Sequence, residues 1–586
     1  MSTIRAALAA CSSLFLAAAG AAPALAAEDA AFPYEAAGLG ERQAAALLID
    51  RFTFGARPGD VDRVVAMGLD QWLEGQLSAN APDAYVQDRL AGLEALSLTH
   101  EALVRRYPTS SQVRAHARRL DLIPGRDVVV TDRAAQNRAL EELSAKLGFR
   151  TQEEDLHSQL IEQQLVRAVH SENQLREVMT DFWQNHFYVT PTAFDARLWV
   201  LAFEGEAVRP NALGHFGDLL TAAVSHPGML AYHEDLAAPS EIEFSQSLMG
   251  RLGADAGPAR VRAARDEIAA LEAEQDEILS RENWAGTGPN EAFARLILAD
   301  QTMGAGGGFT DADIAALARM LTGWDVAFYG PTEDWFQGGM ENAAALGVEQ
   351  HGSFLFRSDL HDASAKTLLG ETFAAGEGLQ QGRRALQVIA GQADTARHIS
   401  GKIATRFVSE TPPEALVDAM AGAFLSSGGD IAAVIRTMAQ SEAFWVEAAK
   451  RSKIKTPFEY AVSAIRGSDG TVHQAAALAE SIGRMGQPLY AYVEPVGYPD
   501  RNDYWLDPAS LTARFAFAER LSQGRLAGVS MGVDPAAAAP GDLAGLALPE
   551  RDVNALVAAI EHAAAQDTSP DQVWAMLIAS PQFQTR

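Results

Sequence analysis

The chain has 586 residues, a net charge of −29 and a single cysteine. So acidic a balance argues against nucleic acid, which is held by clustered cations, and against anionic membrane. It fits a solvated acidic surface, cationic ligands or metal ions, and without a disulfide framework the fold must be held by burial, which a chain of this length can supply.

In chain order, residues 1–26 read as an export signal: Arg5, an apolar run from Ala6 to Gly20, and the small-residue site Ala24-Leu25-Ala26. Cleavage there removes one positive charge and no acid, taking −29 to −30, and leaves the mature chain without Cys11. "LAAC", Leu8 to Cys11, is set aside as a lipoprotein box because the apolar run continues past the cysteine, and no twin arginine precedes it. No later stretch reaches the roughly 18 apolar residues that a spanning helix needs. The expected location is therefore the periplasm or the exterior, with no transmembrane span in the mature chain.

Residues 27–44 are expected as a tail and 45–525 as a main helical body. "ERQAAALLIDRF", "DVDRVVAMGLDQWLEGQL" and "EEDLHSQLIEQQLVRAVH" place apolar residues at helical spacing. Alternating patterns are few, "DVVVTD" (127–132) and "SFLFRSD" (353–359) being the best. The expected fold class is all-α, a multi-helical array with one or two short β hairpins. Residues 251–289 read as an inserted helical arm, with Val261, Ala264, Ile268, Leu271 and Ile278 on a 3-4 stripe. Gly304–Gly308 reads as a turn between helices, 526–548 as a Gly/Ala/Pro linker and 549–586 as a C-terminal helical segment. "EALVDAM…MAQSEAF" and "NALVAAI…LIASPQF" repeat one helical hairpin, each ending in Ser-x-x-Phe, with the Ser as a cap and the Phe docked in the core.

Motifs that carry chemistry are scarce. Phosphate-loop and H-E-x-x-H patterns are missing from the sequence. Gly528-Val529-Ser530-Met531-Gly532 matches G-x-S-x-G, but a helical pattern precedes it and a Pro/Ala stretch follows, unlike a nucleophile elbow. In "MTDFWQNHFYV", His186 falls one turn from Phe182 and Trp183, so core is its favoured reading, while Asp181 and Asn185 form a polar pair on the flank. Asp181 and His186 point about 140° apart on a straight helix, too divergent to share an ion easily. "SHPGMLAYHEDL" puts His226 near a cap and Pro227 at the first helical position, with His233 two turns on. "DLHDASAKTLLG" offers a loop pair, His361 and Asp362, with Lys366 one turn later, and "ALARMLTGWDV" offers Arg319 beside Trp324. His186, His226, His361 and Asp362 are the candidates for acid–base or metal work, and nothing in the sequence assigns a cofactor or a metal.

Seven segments, "LLIDRFTFGARPGDVDRVVAMGLDQWLEGQL", "DFWQNHF", "HPGMLAYHED", "NEAFARLILADQTMG", "LARMLTGW", "HDASAKTLLG" and "GQPLYAYVEPVGYPD", occur in that order. Together they resemble the bacterial domain-of-unknown-function 1800 family over roughly residues 45–525. The resemblance implies an exported, mostly helical protein of unassigned activity, often encoded beside an exported sulfatase-like or phosphatase-like protein. It also marks Asn290, Glu291, Ala294 and Arg295 as matches to a family pattern in which two later acids are here replaced by Leu296 and Ala299, and a following His or Phe by Gln301.

Two functions stay open. One is a binding or assembly protein acting with a co-exported partner, with Asp181, Asn185, Asn290, Glu291, Arg295, Arg319, Trp324 and Lys366 as candidate contacts. The other is an exported hydrolase or lyase built on His186, His226 or His361 with Asp181 or Asp362, with or without a metal. Convergence of those three histidines within about 5 Å would favour the enzyme, since a hydrogen-bonded acid–base site needs close approach.

Overall fold

Amphipathic helices dominate the computed structural model, which describes residues 32–125, 132–193, 196–237, 289–327, 348–564 and 569–586. The segment read as an export signal, almost all of the segment read as an inserted arm, and all of "DVVVTD" but Asp132 fall outside those residues. Among the described residues, the apolar faces close on one main core that runs in sequence from Phe32 to Phe583, with three small satellite clusters. Among the described residues, no helix is long and apolar enough to cross a membrane.

The fold is all-α and, among the described residues, its short strands form three small antiparallel sheets. Trp324–Val326, Phe354–Arg357 and Val348–His351 form the largest, with Trp324 opposite Phe356 and Val348 opposite Arg357. Lys366–Leu368 pairs with Glu371–Phe373, and Thr471–Val472 with Val529–Ser530. "SFLFRSD" thus contains a real strand, Phe354–Arg357.

Residues 526–548 are packed: a short strand and the helix Pro540–Ala547 place Leu526, Val529, Leu543, Ala544, Ala547 and Leu548 in the main core. Small residues read as a linker in sequence, yet they also allow close approach to a neighbour. The segment after 548 shares the same core through Trp574, Leu577 and Phe583, and the expected tail is anchored where Phe32 meets Trp445 at 5.6 Å. The repeated hairpin is present, with Phe444 and Phe583 buried, and Ser580 accepts the Phe583 amide while Ser441 makes no such cap bond.

Among the described residues, three π-helical turns, Gln152–Leu156, Phe203–Val208 and Ile297–Thr302, interrupt the regular pattern. Such turns shift the register of side chains and often mark functional positions. The second and third of them lead to the two polar sites described below.

Candidate functional site

The helix Gln174–His186 follows from its spacing: Leu175, Val178, Met179 and Trp183 are buried, and the Trp183 indole donates to the Ala212 carbonyl at 2.9 Å. Its last two turns carry Asp181, Phe182, Asn185 and His186 to the wall of a cleft of ≈ 830 Å³. The helix Ala393–Phe407 supplies the opposite wall, presenting Asp394, His398, Lys402 and Arg406 at i, i+4 steps along one face. The Gly304–Gly307 turn closes one end, and the loop Tyr492–Asp500 with Trp505 forms a lip of aromatic rings.

The lip is tied to the end of the first helix. Asn185 Nδ2 donates to the Tyr498 carbonyl at 2.8 Å while the Tyr498 amide donates back to Asn185 Oδ1 at 2.7 Å. The Tyr188 hydroxyl donates to the Tyr492 carbonyl at 3.1 Å and accepts from the Tyr492 amide at 2.6 Å. Gly497, at φ 71, lies against Asn185 so closely that a Cβ would collide with its carbonyl. Asn185 is therefore a clamp on the loop. Tyr492 packs on Tyr498 at 4.6 Å, and Tyr498 on Trp505 at 5.6 Å.

The charges beneath the cleft are mostly paired. Arg406 donates to Glu459 and lies 3.5 Å from Asp181, Arg586 reaches Glu459 at 3.1 Å, and Lys453 holds Asp500 at 2.6 Å. Burial pushes the Asp181 carboxyl up to about 6 against the pull of Arg406. Burial also brings the Lys402 ammonium down to about 8, against the fields of Asp300 and Asp500. No hydrogen bond or ion pair holds Lys402 among the described residues. Two groups that ordinarily titrate far apart are thus drawn toward neutrality in one cleft, a pattern frequent at functional sites.

His186 is 4% exposed, and its Nε2 lies 3.0 Å from the Gln301 carbonyl. Its ring meets Phe187 at 4.6 Å and Trp183 at 5.4 Å, and burial, then the Lys402 charge, holds its pKa well below the ordinary value. It therefore sits neutral, fixed to a backbone carbonyl on the π-helical turn.

The other expected residues lie elsewhere. His226 Nδ1 accepts the Gly228 amide at 3.0 Å, capping the helix Pro227–Ala237, and its Nε2 lies 3.8 Å from Glu206. His361 contacts the Thr322 carbonyl at 2.9 Å and the Phe356 ring at 5.2 Å. His186, His226 and His361 thus occupy three separate settings and do not converge. Asp362 binds Arg319 at 2.6 Å, and the fully buried Lys366 ammonium bonds Gln381 at 2.6 Å and the Ser364 carbonyl at 3.1 Å. Arg319 turns to Asp362 and Ser364, while Trp324 packs edge-on against Phe354 at 5.2 Å. Asn290 caps the helix Glu291–Leu296 by accepting the Phe293 amide, exposed Arg295 pairs with Asp311 at 2.9 Å, and Glu291 is exposed. None of Asn290, Glu291, Arg295, Arg319, Trp324 and Lys366 lines the cleft. Asp300, one position after Ala299, carries a charge that acts on Lys402.

Sequence reading missed Lys402, His398, Arg406 and the tyrosines of the lip. The available signal was the four-residue spacing in "DTARHISGKIATR" and the aromatic density of "LYAYVEPVGYPDRNDYW". Ser530, in the G-x-S-x-G match, is exposed and 2.8 Å from His473, on a two-residue strand that no helix directly follows.

A family profile described as "Protein of unknown function (DUF1800)" matches residues 47–585. The chain belongs to this family. The match runs past the expected end near 525 and takes in the C-terminal helices that share the core. No curated protein and no solved structure matches the chain. Within this DUF1800 protein, the segments "DFWQNHF" and "GQPLYAYVEPVGYPD" meet at the cleft, where Asn185 clamps Tyr498.

Proposed function

We propose that this DUF1800 protein is an exported binding protein whose cleft takes a small organic anion bearing a ring. Lys402 carries this reading. Arg397 pairs with Asp418 and Arg406 with Glu459, whereas the Lys402 ammonium faces the cleft unpaired among the described residues. An anion gains most from a cation that is partly desolvated and not already neutralised. Tyr492, Tyr498 and Trp505 offer faces for a ring, and Asp181, Thr405 and Gln487 offer polar contacts for hydroxyl groups. Sugar acids and aromatic carboxylates both meet these terms, and the volume falls within the range of small-molecule sites. Export rests on the Arg5–Ala26 segment. Cooperation with a co-exported sulfatase-like or phosphatase-like partner rests on what the family resemblance implies.

A second reading, a hydrolase or lyase, is favoured by one observation: Asp181 near 6 and Lys402 near 8 are poised for proton transfer at neutral pH. Calorimetry with oligogalacturonate, glucuronate and phenylacetate, each beside a neutral analogue, tests the binding reading. Anions should bind and neutral analogues should not, and Lys402→Ala should abolish binding. Equal affinity of parent and variant would overturn it. Mass spectrometry of a bound ligand after incubation separates the two readings, since an enzyme consumes it and a binding protein returns it intact.

A further inference from the structure

Away from the cleft, three segments distant in sequence bring ligand-type atoms together. His100 opens the helix His100–Arg106, Glu206 sits in the π-helical turn Phe203–Val208, and His226 caps Pro227–Ala237. One ligand atom from each lies within 4.8 Å of the other two. His100 Nε2 is 2.8 Å from Glu206 Oε2, and His226 Nε2 is 3.8 Å from the same oxygen. We propose that His100, Glu206 and His226 bind one divalent transition-metal ion of the zinc class.

Tetrahedral coordination at about 2.0–2.2 Å places ligand atoms roughly 3.3 Å apart. The distances to Glu206 fall either side of that value, so small side-chain movements close the site. A second observation points the same way. His226 is only 6% exposed, yet its Nε2 has no hydrogen-bond partner among the described residues, and it is aimed at Glu206. A buried polar atom without a partner is costly, and a bound cation would give the His226 Nε2 a partner.

The surroundings suit a metal. Trp199 packs edge-on to His100 at 5.2 Å and Phe203 edge-on to His226 at 5.3 Å, holding the two imidazoles 80° apart. Glu206 is 52% exposed, which leaves a side open for water or a fourth ligand. Two imidazoles and one carboxylate select zinc-class ions over calcium or magnesium, which prefer all-oxygen shells.

One feature sets the affinity. His100 Nδ1 accepts the Ser353 amide at 3.3 Å and His226 Nδ1 accepts the Gly228 amide at 3.0 Å. Coordination through Nε2 moves each ring proton to Nδ1 and gives up those two bonds. Binding is therefore expected to be weaker, by about 10–100-fold, than at a site whose imidazoles already donate from their second nitrogen.

Full-length protein freed of metal by chelator dialysis is titrated with zinc and, separately, with cobalt, with magnesium as the control for diffuse binding to the acidic surface. The expected result is one zinc per chain, a visible cobalt absorption of tetrahedral type, and no matching magnesium site. Glu206→Gln and His100→Gln should each weaken zinc at least tenfold, while His361→Gln should bind as the parent does. Melting curves without metal establish that each variant is folded. If one variant fails to fold, the other and the cobalt spectrum decide. Absence of saturable zinc binding, a cobalt spectrum of the hydrated ion, or unchanged affinity in a folded Glu206→Gln or His100→Gln variant would overturn the proposal.

Discussion

Replacing Asp181 with asparagine should stabilise the protein at neutral pH and leave it nearly unchanged at pH 4. Burial lifts this carboxyl from 3.8 to about 6 in the native state. The folded protein thus holds the proton more tightly than the unfolded chain does. The resulting stability is fully present below pH 3.8 and is lost as pH rises through 6. At about 1.36 kcal/mol per pKa unit, the difference 6 − 3.8 = 2.2 corresponds to about 3 kcal/mol, an upper figure for a side chain that is 28% exposed. Asparagine keeps the shape of the protonated acid and does not ionise. Urea unfolding of parent and variant from pH 4 to pH 8 is the assay. Their difference cancels Glu204 and Glu459, which titrate in both proteins. It should be small at pH 4, open through pH 5 and level off above pH 6 with the variant more stable. A difference independent of pH, or a variant less stable at pH 7, would refute the reasoning. Carboxylates kept at such a cost are frequent at functional sites.

His186→Ala should cost about 2–4 kcal/mol, because it opens a cavity against Phe187 and Trp183 and strands the Gln301 carbonyl, while His186→Gln should cost less; urea melts compare the two. Gly497→Ala should lower the melting temperature and weaken anion binding several-fold, because the new methyl drives the lip off Asn185; calorimetry alongside melting curves reads both effects. Signal cleavage after Ala26 should leave Ala27 as the N-terminus, which N-terminal sequencing of the exported protein checks.

Most of the fold was legible because it rests on local periodicity. The stripe around Trp183, the Pro227 start with His226 at its cap, and the strand within "SFLFRSD" each follow from spacing of a few residues. The packing of 526–548 was not legible, since Gly, Ala and Pro make a loop and a closely packed helix look alike. The site was half visible. Asp181 and Asn185 stood out beside aromatic residues, but Lys402 looked like any polar position on an amphipathic helix. Only the tertiary fold turns that face inward, toward Asn185 and the tyrosine lip. Glu206 was hidden for a related reason: the π-helical turn that aims it at His100 and His226 breaks the period on which sequence reading depends.

The central claim, that Lys402 is the anion-binding group of the cleft, is tested most directly by NMR of the protein with its lysines carrying ¹³C-methyl groups. The chain has only six lysines, at 146, 366, 402, 450, 453 and 455, so their signals should resolve, and Lys402→Gln assigns the one of interest. Its signal should titrate near 8 in the free protein and move to higher pH when oligogalacturonate, glucuronate or phenylacetate binds, because a bound anion favours the charged amine. A Lys402 signal that titrates near 10.5 and does not respond to any of these anions would contradict the account.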